Sequence, residues 1–535
     1  MRILSLAPAF LLAALCLEAA PAADRPSAPP PPDANELAPA PEAKAGDLKR
    51  ERADPSEVAS APVKERRTAT SHTLATAAGA LCYEATAGTL TLRDGQGRPT
   101  ASMFYVAYVV EPEAGRGPRP VTFLYNGGPG SSSMWLHMGS IGPLRVRTDS
   151  PEATHNPPYT VGPNEQSLLG RTDLVFLDAI GTGYSRVLGK SKPEAFWGVD
   201  ADIDAFAQGI TRYLTVNRRW NSPKFLFGES YGTTRSAGLA YALHKRGVQL
   251  NGVILLSSIL NYGVRNPGYD RTFVGLLPTY AAAAWYHHKS NPRPDQLEPL
   301  LAEVRAYASG PYLLALDKGQ DITAQEEDSV AQKLSGYTGL SVTFLKENRL
   351  RVEPGRFRKE LLRAEHRILG RYDARVVGID PDDAGEEPEY DPASAGISGA
   401  FVGALQATLV DELHFPSDLA YLPSGGEAIF KAWDWHHRAP GDPYREVAPD
   451  VARDLSSAMR ENPHLKVLSL NGWYDLATPF YETEYDLKHM HLDPSLRQNL
   501  RFAYYPSGHM VYLNPEALKQ LISDLERFYG EAAPR

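Results

Sequence analysis

Lys224-Phe225-Leu226-Phe227-Gly228-Glu229-Ser230-Tyr231-Gly232 is a short apolar run that ends in Gly-x-Ser-x-Gly. Read physically, it is a strand that turns abruptly into a helix and leaves Ser230 at a strained elbow, with glycine required on both flanks. The pentapeptide alone is a weak signal, because three fixed residues of ordinary frequency give roughly 0.2 accidental matches in a chain of this length. Its weight comes from the sequence around it.

Downstream, a helix is predicted from about Tyr231 to Arg246, ended by Gly247, and Val253–Leu256 reads as the next buried strand. Upstream, Leu174–Asp178 is another compact apolar run. The helix after it carries Ile203, Phe206, Ala207, Ile210 and Leu214 at helical spacing, with Asp200 or Asp202 as candidate cap. Farther back, Val121–Tyr125 is a strand that runs into Asn126-Gly127-Gly128-Pro129-Gly130-Ser131-Ser132-Ser133. Before it, Leu90–Gly97 and Ala101–Val110 read as paired strands, and fold-related patterning begins near Leu81. Strand, helix, strand, elbow, helix, strand is the order of a parallel sheet with right-handed crossovers, which places its chemistry at the carboxyl ends of the strands.

The rhythm stops between about Asn261 and Asn462, where helical stretches such as Thr279–His287 and Arg356–Leu369 and an acidic loop from Asp380 to Asp391 read as an inserted cap. Its aromatic residues Tyr262, Trp285, Trp433 and Trp435 are either pocket lining or ordinary cap core. The sheet then resumes with Lys466–Leu470 and the loop Asn471–Asp475. Leu500–Tyr505 is the last strand, Pro506–His509 its loop, and Asn514-Pro515 caps a closing helix. The expected organisation is therefore core 68–260, cap 261–462 and core 463–535.

A chain of 535 residues is too long for one ordinary core, in keeping with a domain that carries an insertion. With 55 basic against 64 acidic residues its net charge is −9, which gives no electrostatic case for nucleic-acid binding. Met1-Arg2, the apolar stretch through Leu17 and Ala20-Pro21-Ala22 read as a secretory signal over residues 1–22, so the protein is expected to be periplasmic or secreted. No other run of about 18 apolar residues is evident, and no stable membrane insertion is expected. Residues 23–67, rich in Pro, Ala, Glu and Lys, read as a flexible leader. Loss of the signal leaves Cys82 as the sole cysteine, so neither an internal disulfide nor a Cys-x-x-Cys pair is expected. His489 and His491 lack an evident third ligand, and no metal site is assigned.

The glycine-rich loop after Tyr125 lacks the Gly-Lys-Ser/Thr ending of a phosphate cradle and the Gly-x-Gly-x-x-Gly spacing of a dinucleotide fold. It fits a loop that brings backbone N–H groups close to a carbonyl on which negative charge develops. A serine hydroxyl needs a base to take its proton, and an imidazole base needs a carboxylate to fix its tautomer. Ser230, Asp475 and His509 satisfy the Ser, acid, His chain order of an α/β-hydrolase, and both partners sit in loops directly after predicted strands. Asp178 precedes the serine and breaks that order, Asp486 falls in a helical stretch, and His489 and His491 come too early.

The motifs Asn126–Ser132, Gly181-Thr182-Gly183-Tyr184-Ser185, Gly228–Gly232, Asn471–Asp475 and Gly508-His509-Met510 together resemble the serine carboxypeptidases, peptidase family S10. The resemblance covers about Phe123–Leu260 and Val467–Tyr529. It implies that Ser230 attacks a peptide carbonyl, that the N–H groups of Gly128 and Tyr231 form the oxyanion hole, and that Asn126, Gly127 and Glu229 hold the substrate's free carboxylate. Glu229 has a rationale of its own: a carboxyl facing a carboxylate must be protonated to donate a hydrogen bond. Four residues depart from the family pattern. Ser140 stands where the second carboxylate-binding glutamate is usual, Ser131 replaces a cysteine, and Ala179-Ile180 replaces Gln-Pro. The expectation is an exported carboxypeptidase acting on peptides through an acyl-enzyme, with no metal or organic cofactor. An esterase or acyltransferase on the same fold is the alternative, and a non-catalytic peptide binder a third.

Overall fold

Nine strands and a short tenth build one mixed sheet. The nine are β1 (Arg67–Thr76), β2 (Gly79–Arg93), β3 (Pro99–Val110), β4 (Val121–Tyr125), β5 (Asp173–Leu177), β6 (Lys224–Glu229), β7 (Gly252–Leu256), β8 (Lys466–Gly472) and β9 (Leu500–Tyr505). The spatial order is β1-β2-β3-β5-β4-β6-β7-β8-β9, with a two-residue strand, Arg186–Val187, pairing with β3 as the tenth. β1 to β3 and the β3–β5 pair are antiparallel, and from β5 onward every pair is parallel. The computed structural model describes residues 63–533 except 77–78, 112–114, 116 and 267. The expected signal, and the leader as far as residue 62, lie outside the described residues.

Every residue of β4, β5, β6 and β7 is buried, because helices cover both faces of the sheet. The side chains separate by alternation. Phe123, Tyr125, Leu226, Val253 and Leu255 face one layer with Phe206, Ile210, Leu239, Leu243, Leu455 and Met459. Leu124, Phe225, Phe227, Ile254 and Leu256 face the other, with Leu136, Phe401, Leu405, Leu521 and Leu525. The helices concerned are α1 (Met134–Gly139), α2 (Val199–Val216), α3 (Tyr231–Lys245), α4 (Arg271–Tyr286), α5 (Ala452–Glu461) and α6 (Pro515–Ala532), of which α4 belongs to a separate cluster. At the start of α6 the Asn514 side chain accepts from the N–H groups of Glu516 and Ala517, the cap expected from Asn-Pro.

Several local readings differ from the structure. The ordered chain starts well before Leu81: β1 pairs with β2 from Arg67↔Gly88 to Thr76↔Gly79, and Glu65 already binds the Thr91 N–H and Arg212. β1 escapes an apolar search because it is an edge strand built on threonine, with Leu74 its one fully buried residue. Neither Asp200 nor Asp202 caps α2, whose first residue follows Gly198; both carboxylates are committed to distant partners. The helix expected over Arg356–Leu369 spans only Pro354–Glu360. A left-handed turn at His366 then leads into a short strand, Ile368–Leu369.

Within the segment expected as a cap, α4 and the helices Leu297–Tyr307 and Ala324–Thr338 share a core with Trp473 and Tyr474 from the loop after β8 and Phe480 from the start of the next helix. The last helix of that segment, α5, packs instead in the sheet's own layer against α3 and so returns the chain to the sheet before residue 462. The helical stretch Pro392–Glu412 is long and apolar enough to cross a membrane by length and composition, a feature the sequence reading passed over. Here its Phe401, Leu405 and Leu409 are buried in the second layer.

One polar contact fastens the inserted segment to two core helices. The buried His437 ring lies between Asp200 of α2, at 2.6 Å, and Asp454 of α5, at 2.8 Å. Burial opposes charging of this imidazole, but the two carboxylates prevail and hold its pKa at about 9. A histidine raised in the folded state contributes stability that is fully present below its unfolded pKa near 6.5 and is lost as pH rises through 9. His437→Gln is therefore expected to destabilise the protein by about 3 kcal/mol near pH 6, by leaving Asp454 buried without its cation. Thermal melts of both proteins should converge as pH passes 9; a constant gap from pH 6 to 10 would contradict this assignment.

Candidate active site

The elbow has the backbone its sequence requires. Ser230 sits at φ 60°, ψ −131°, in the left-handed region that non-glycine residues avoid. Its N–H donates to the Leu256 carbonyl (3.0 Å), and its carbonyl accepts from Thr233 (2.8 Å). A Cβ on Gly228 would lie 2.1 Å from the Gly232 carbonyl oxygen, and one on Gly232 would lie 2.8 Å from that of Tyr125. Both flanks must therefore be glycine.

The loop after β4 lies directly over this elbow: a Cβ on Gly127 would stand 2.4 Å from the Tyr231 nitrogen. Gly128 follows at φ 106° and is exposed. The loop is held from several sides. Asn126 Oδ1 accepts from the Leu136 N–H of α1 (3.0 Å), and the Asn126 carbonyl accepts from Arg235 (2.8 Å). Arg235 is fully buried, pairs with Asp202 (2.7 Å) and lies over the Phe206 ring. Asp178, a rejected triad candidate, accepts from both the N–H and the hydroxyl of Ser133 and from Tyr421. Burial lifts its pKa to about 6, against the pull of the Ser133 hydrogen bonds.

On the next strands, His509 and Asp475 meet. His509 Nδ1 lies 2.7 Å from Asp475 Oδ2. The other Asp475 oxygen accepts from the N–H groups of Ala477 and Thr478, and the Thr478 hydroxyl donates to Oδ2 at 2.7 Å. Both residues are about 2 % exposed or less. Burial resists protonation of His509, yet the adjacent Asp475 carboxylate outweighs it and the imidazole pKa is raised. The Ser257 hydroxyl donates to the His509 carbonyl (2.6 Å), while Leu256, the residue before it, holds the Ser230 N–H. Serine and histidine are thus anchored to consecutive residues at the end of β7. Among the described residues no hydrogen bond joins the Ser230 hydroxyl to the His509 ring, so the Asp475–His509 contact is formed and a Ser230–His509 contact is not. Such bonds are often long before substrate binds.

Glu229 is buried, and burial pushes its carboxyl up to about 7 despite the opposing influence of His509. The buried Tyr512 hydroxyl and the Asn126 side chain lie beside it and favour the ionised form, and one Glu229 oxygen is left without a well-formed hydrogen bond. Ser140 does not join this group: its hydroxyl donates back to the Leu136 carbonyl (2.5 Å). Trp433 and Trp435 pack edge-on against Tyr231, and Tyr262 meets Trp435, so three of the four aromatic candidates lie beside the elbow. Trp285 lies elsewhere, donating to the Pro294 carbonyl beneath Arg293.

Sequence reasoning missed the strap Arg371–Arg375. The Arg371 carbonyl accepts from Leu476, the Tyr372 carbonyl accepts from His509 (2.6 Å), and the Ala374 N–H donates to Tyr474. Arg375 binds the Pro506 carbonyl and pairs with Asp373. A Cβ on Gly508 would come within 2.3 Å of the Tyr372 carbonyl, which explains the glycine before His509. The strap therefore ties the Asp475 and His509 loops together. No periodicity marks it; the tight Gly508-His509 pair was its one trace in the sequence. Tyr372 also borders a small cleft, with Pro151, Val376, Ile397, Met510 and Leu513.

The sequence family described as serine carboxypeptidase matches residues 83–283, a stretch that includes the glycine-rich loop after β4 and the elbow. Over that stretch the chain is similar to the serine carboxypeptidases. A relative, the pheromone-processing carboxypeptidase KEX1 of Tuber melanosporum (strain Mel28), is 27 % identical over 181 residues, which are 33 % of this chain and 26 % of that protein. The chain thus spans about a quarter of the length of the curated relative it matches. Among solved structures, the prohormone-processing carboxypeptidase KEX1(Δ)p from Saccharomyces cerevisiae superimposes with a TM-score of 0.50 at 17 % identity, covering 83 % of this chain and 91 % of that one. It shows the α/β-hydrolase fold. A proline iminopeptidase from Mycobacterium smegmatis matches at TM-score 0.35 and 14 % identity, over 83 % of this chain and 98 % of that one.

Proposed function

We propose that this chain is a serine-type carboxypeptidase that releases C-terminal residues from peptides through an acyl-enzyme. The observation that carries the proposal is the buried Asp475–His509 pair, anchored one residue from the backbone that holds the Ser230 elbow. In this reading His509 takes the Ser230 proton as the hydroxyl attacks the last peptide carbonyl, and Asp475 stabilises the imidazolium. The N–H groups of Gly128 and Tyr231 receive the developing oxyanion; the close seating of Gly127 on the Tyr231 nitrogen supports that arrangement. His509 then protonates the departing amine, the C-terminal residue leaves, and water attacks the acyl-serine by the same route.

Asn126, Gly127 and Glu229 are proposed to hold the substrate's free carboxylate. A Glu229 carboxyl held at about 7 remains protonated, and able to donate, in mildly acidic solution. KM for a peptide with a free C-terminus should therefore rise as pH climbs through 7, by about tenfold, the scale of one hydrogen bond to a charged group. Glu229→Gln, which donates at every pH, should flatten that rise. The deciding comparison is turnover of a peptide against its C-terminally amidated form: equal rates would refute exopeptidase action and favour an esterase- or acyltransferase-like enzyme on the same triad. The inserted segment is proposed to serve as a cap that shapes the substrate site, and the N-terminal apolar segment Ile3–Leu17 supports export.

A further inference from the structure

Arg371 is an exposed arginine at the rim of the site, with an unusual lack of commitments. Its backbone is fixed on both sides, the N–H to Asp391 (2.8 Å) and the carbonyl to Leu476 (3.1 Å). The Asp391 carboxylate, its nearest acidic neighbour in the chain's hydrogen-bond pattern, is occupied by the N–H groups of Arg371, Tyr372 and Ala393. Among the described residues no carboxylate lies within 4.0 Å of the Arg371 guanidinium, although Arg375, on the same strap, is paired with Asp373 at 2.6 Å. The guanidinium is carried over the Tyr372 ring, 5.6 Å from its centre, and that ring is stacked on His509 at 4.9 Å. Tyr372 also lines a cleft with Pro151, Ile397 and Met510.

These positions define a need and a group able to meet it. Position 140 supplies no second carboxyl donor, since the Ser140 hydroxyl is turned back onto α1. A bound C-terminal carboxylate beside Glu229 would then keep an oxygen without a charged partner. We infer that Arg371, projecting from the inserted strap over Tyr372, is a substrate-binding residue that pairs with the free C-terminal carboxylate of the peptide. An arginine presents two N–H groups in the plane of a carboxylate, the geometry of the stronger charge-assisted pairs. The strap would then both fix the acid and base loops and mark the end of the peptide to be shortened. This rests on the carboxypeptidase reading of the same site.

The test uses the full protein and two substitutions, Arg371→Gln and Arg371→Lys. The readout is the rate at which a fluorophosphonate labels Ser230, with N-acetyl-phenylalanine or its amide present as protectant, each variant being referred to its own unprotected rate. The wild type should be protected by the acid at concentrations at least tenfold lower than by the amide. Arg371→Gln should require roughly tenfold to a hundredfold more acid, as for loss of one charge-assisted pair, with protection by the amide unchanged. Arg371→Lys should keep part of the preference. An undiminished acid-over-amide preference in Arg371→Gln would overturn the inference. So would equal loss toward acid and amide, which would mark Arg371 as a support for the strap alone, or a wild type that does not distinguish the two. Failure of the underlying carboxypeptidase reading appears separately, as equal turnover of free and amidated peptides.

Discussion

Ser230→Ala is expected to lower kcat on a peptide substrate by about 10⁶-fold, the scale on which loss of a triad nucleophile is felt in serine hydrolases. The expectation rests on local structure. Ser230 stands at the apex of the elbow, with the backbone of Gly127 packed against it. The folded state should be unaffected, because the Ser230 hydroxyl makes no hydrogen bond among the described residues. Its fixed contacts are backbone ones, to Leu256 and Thr233, and alanine retains both. The strain of φ 60° persists with alanine, so the thermal midpoint should stay within about a degree or two, the range of an ordinary surface substitution. Steady-state kinetics, circular dichroism and fluorophosphonate labelling together check it. A Ser230→Ala protein that still turns over peptide, or still takes up the label at wild-type rate, would place the nucleophile elsewhere.

Asp475→Asn should reduce kcat by about 10⁴-fold while leaving KM nearly unchanged. Asparagine fits the space and can still accept from Ala477 and Thr478 through its carbonyl oxygen. The oxygen that faces His509 Nδ1 would become an amide donor, or the ring would turn to the other tautomer; either way the Nε2 position no longer serves as base. The pH profile separates this from general damage. In the wild type, burial lowers the His509 pKa and Asp475 raises it, with the carboxylate prevailing. Without the carboxylate, burial is left less opposed, so the limb of the kcat/KM profile set by the imidazole should move to lower pH. A residual activity whose limb stays in place, or moves upward, would show that Asp475 is not the group acting on His509.

The strands beneath the site were legible because their physics is local. A strand buried on both faces must be apolar at consecutive positions, and Val121–Tyr125, Leu174–Leu177 and Val253–Leu256 are. An elbow that brings a serine over a helix N-terminus must have glycine at Gly228 and Gly232, because carbonyl oxygens occupy the space of any Cβ there. The cap at Asn514 is likewise a contact within three residues. Fold class, the elbow and the loops carrying Asp475 and His509 could therefore be read along the chain. β1 could not, because an edge strand needs β-branched residues and a partner rather than an apolar face, and its threonines resemble a polar leader.

What the chain order by itself determined is a parallel sheet with the Ser230 elbow at its centre and two post-strand loops able to meet it. Only the tertiary structure decided the rest: that Asp200 and Asp202 serve His437 and Arg235 instead of a helix end, that α5 belongs to the sheet layer, and that Arg371–Arg375 bridges the loops of Asp475 and His509. The reason is physical. Hydrophobic periodicity is imposed within a turn or two of chain, whereas an ion pair or a backbone hydrogen bond between residues far apart in the chain leaves no repeating trace at either end.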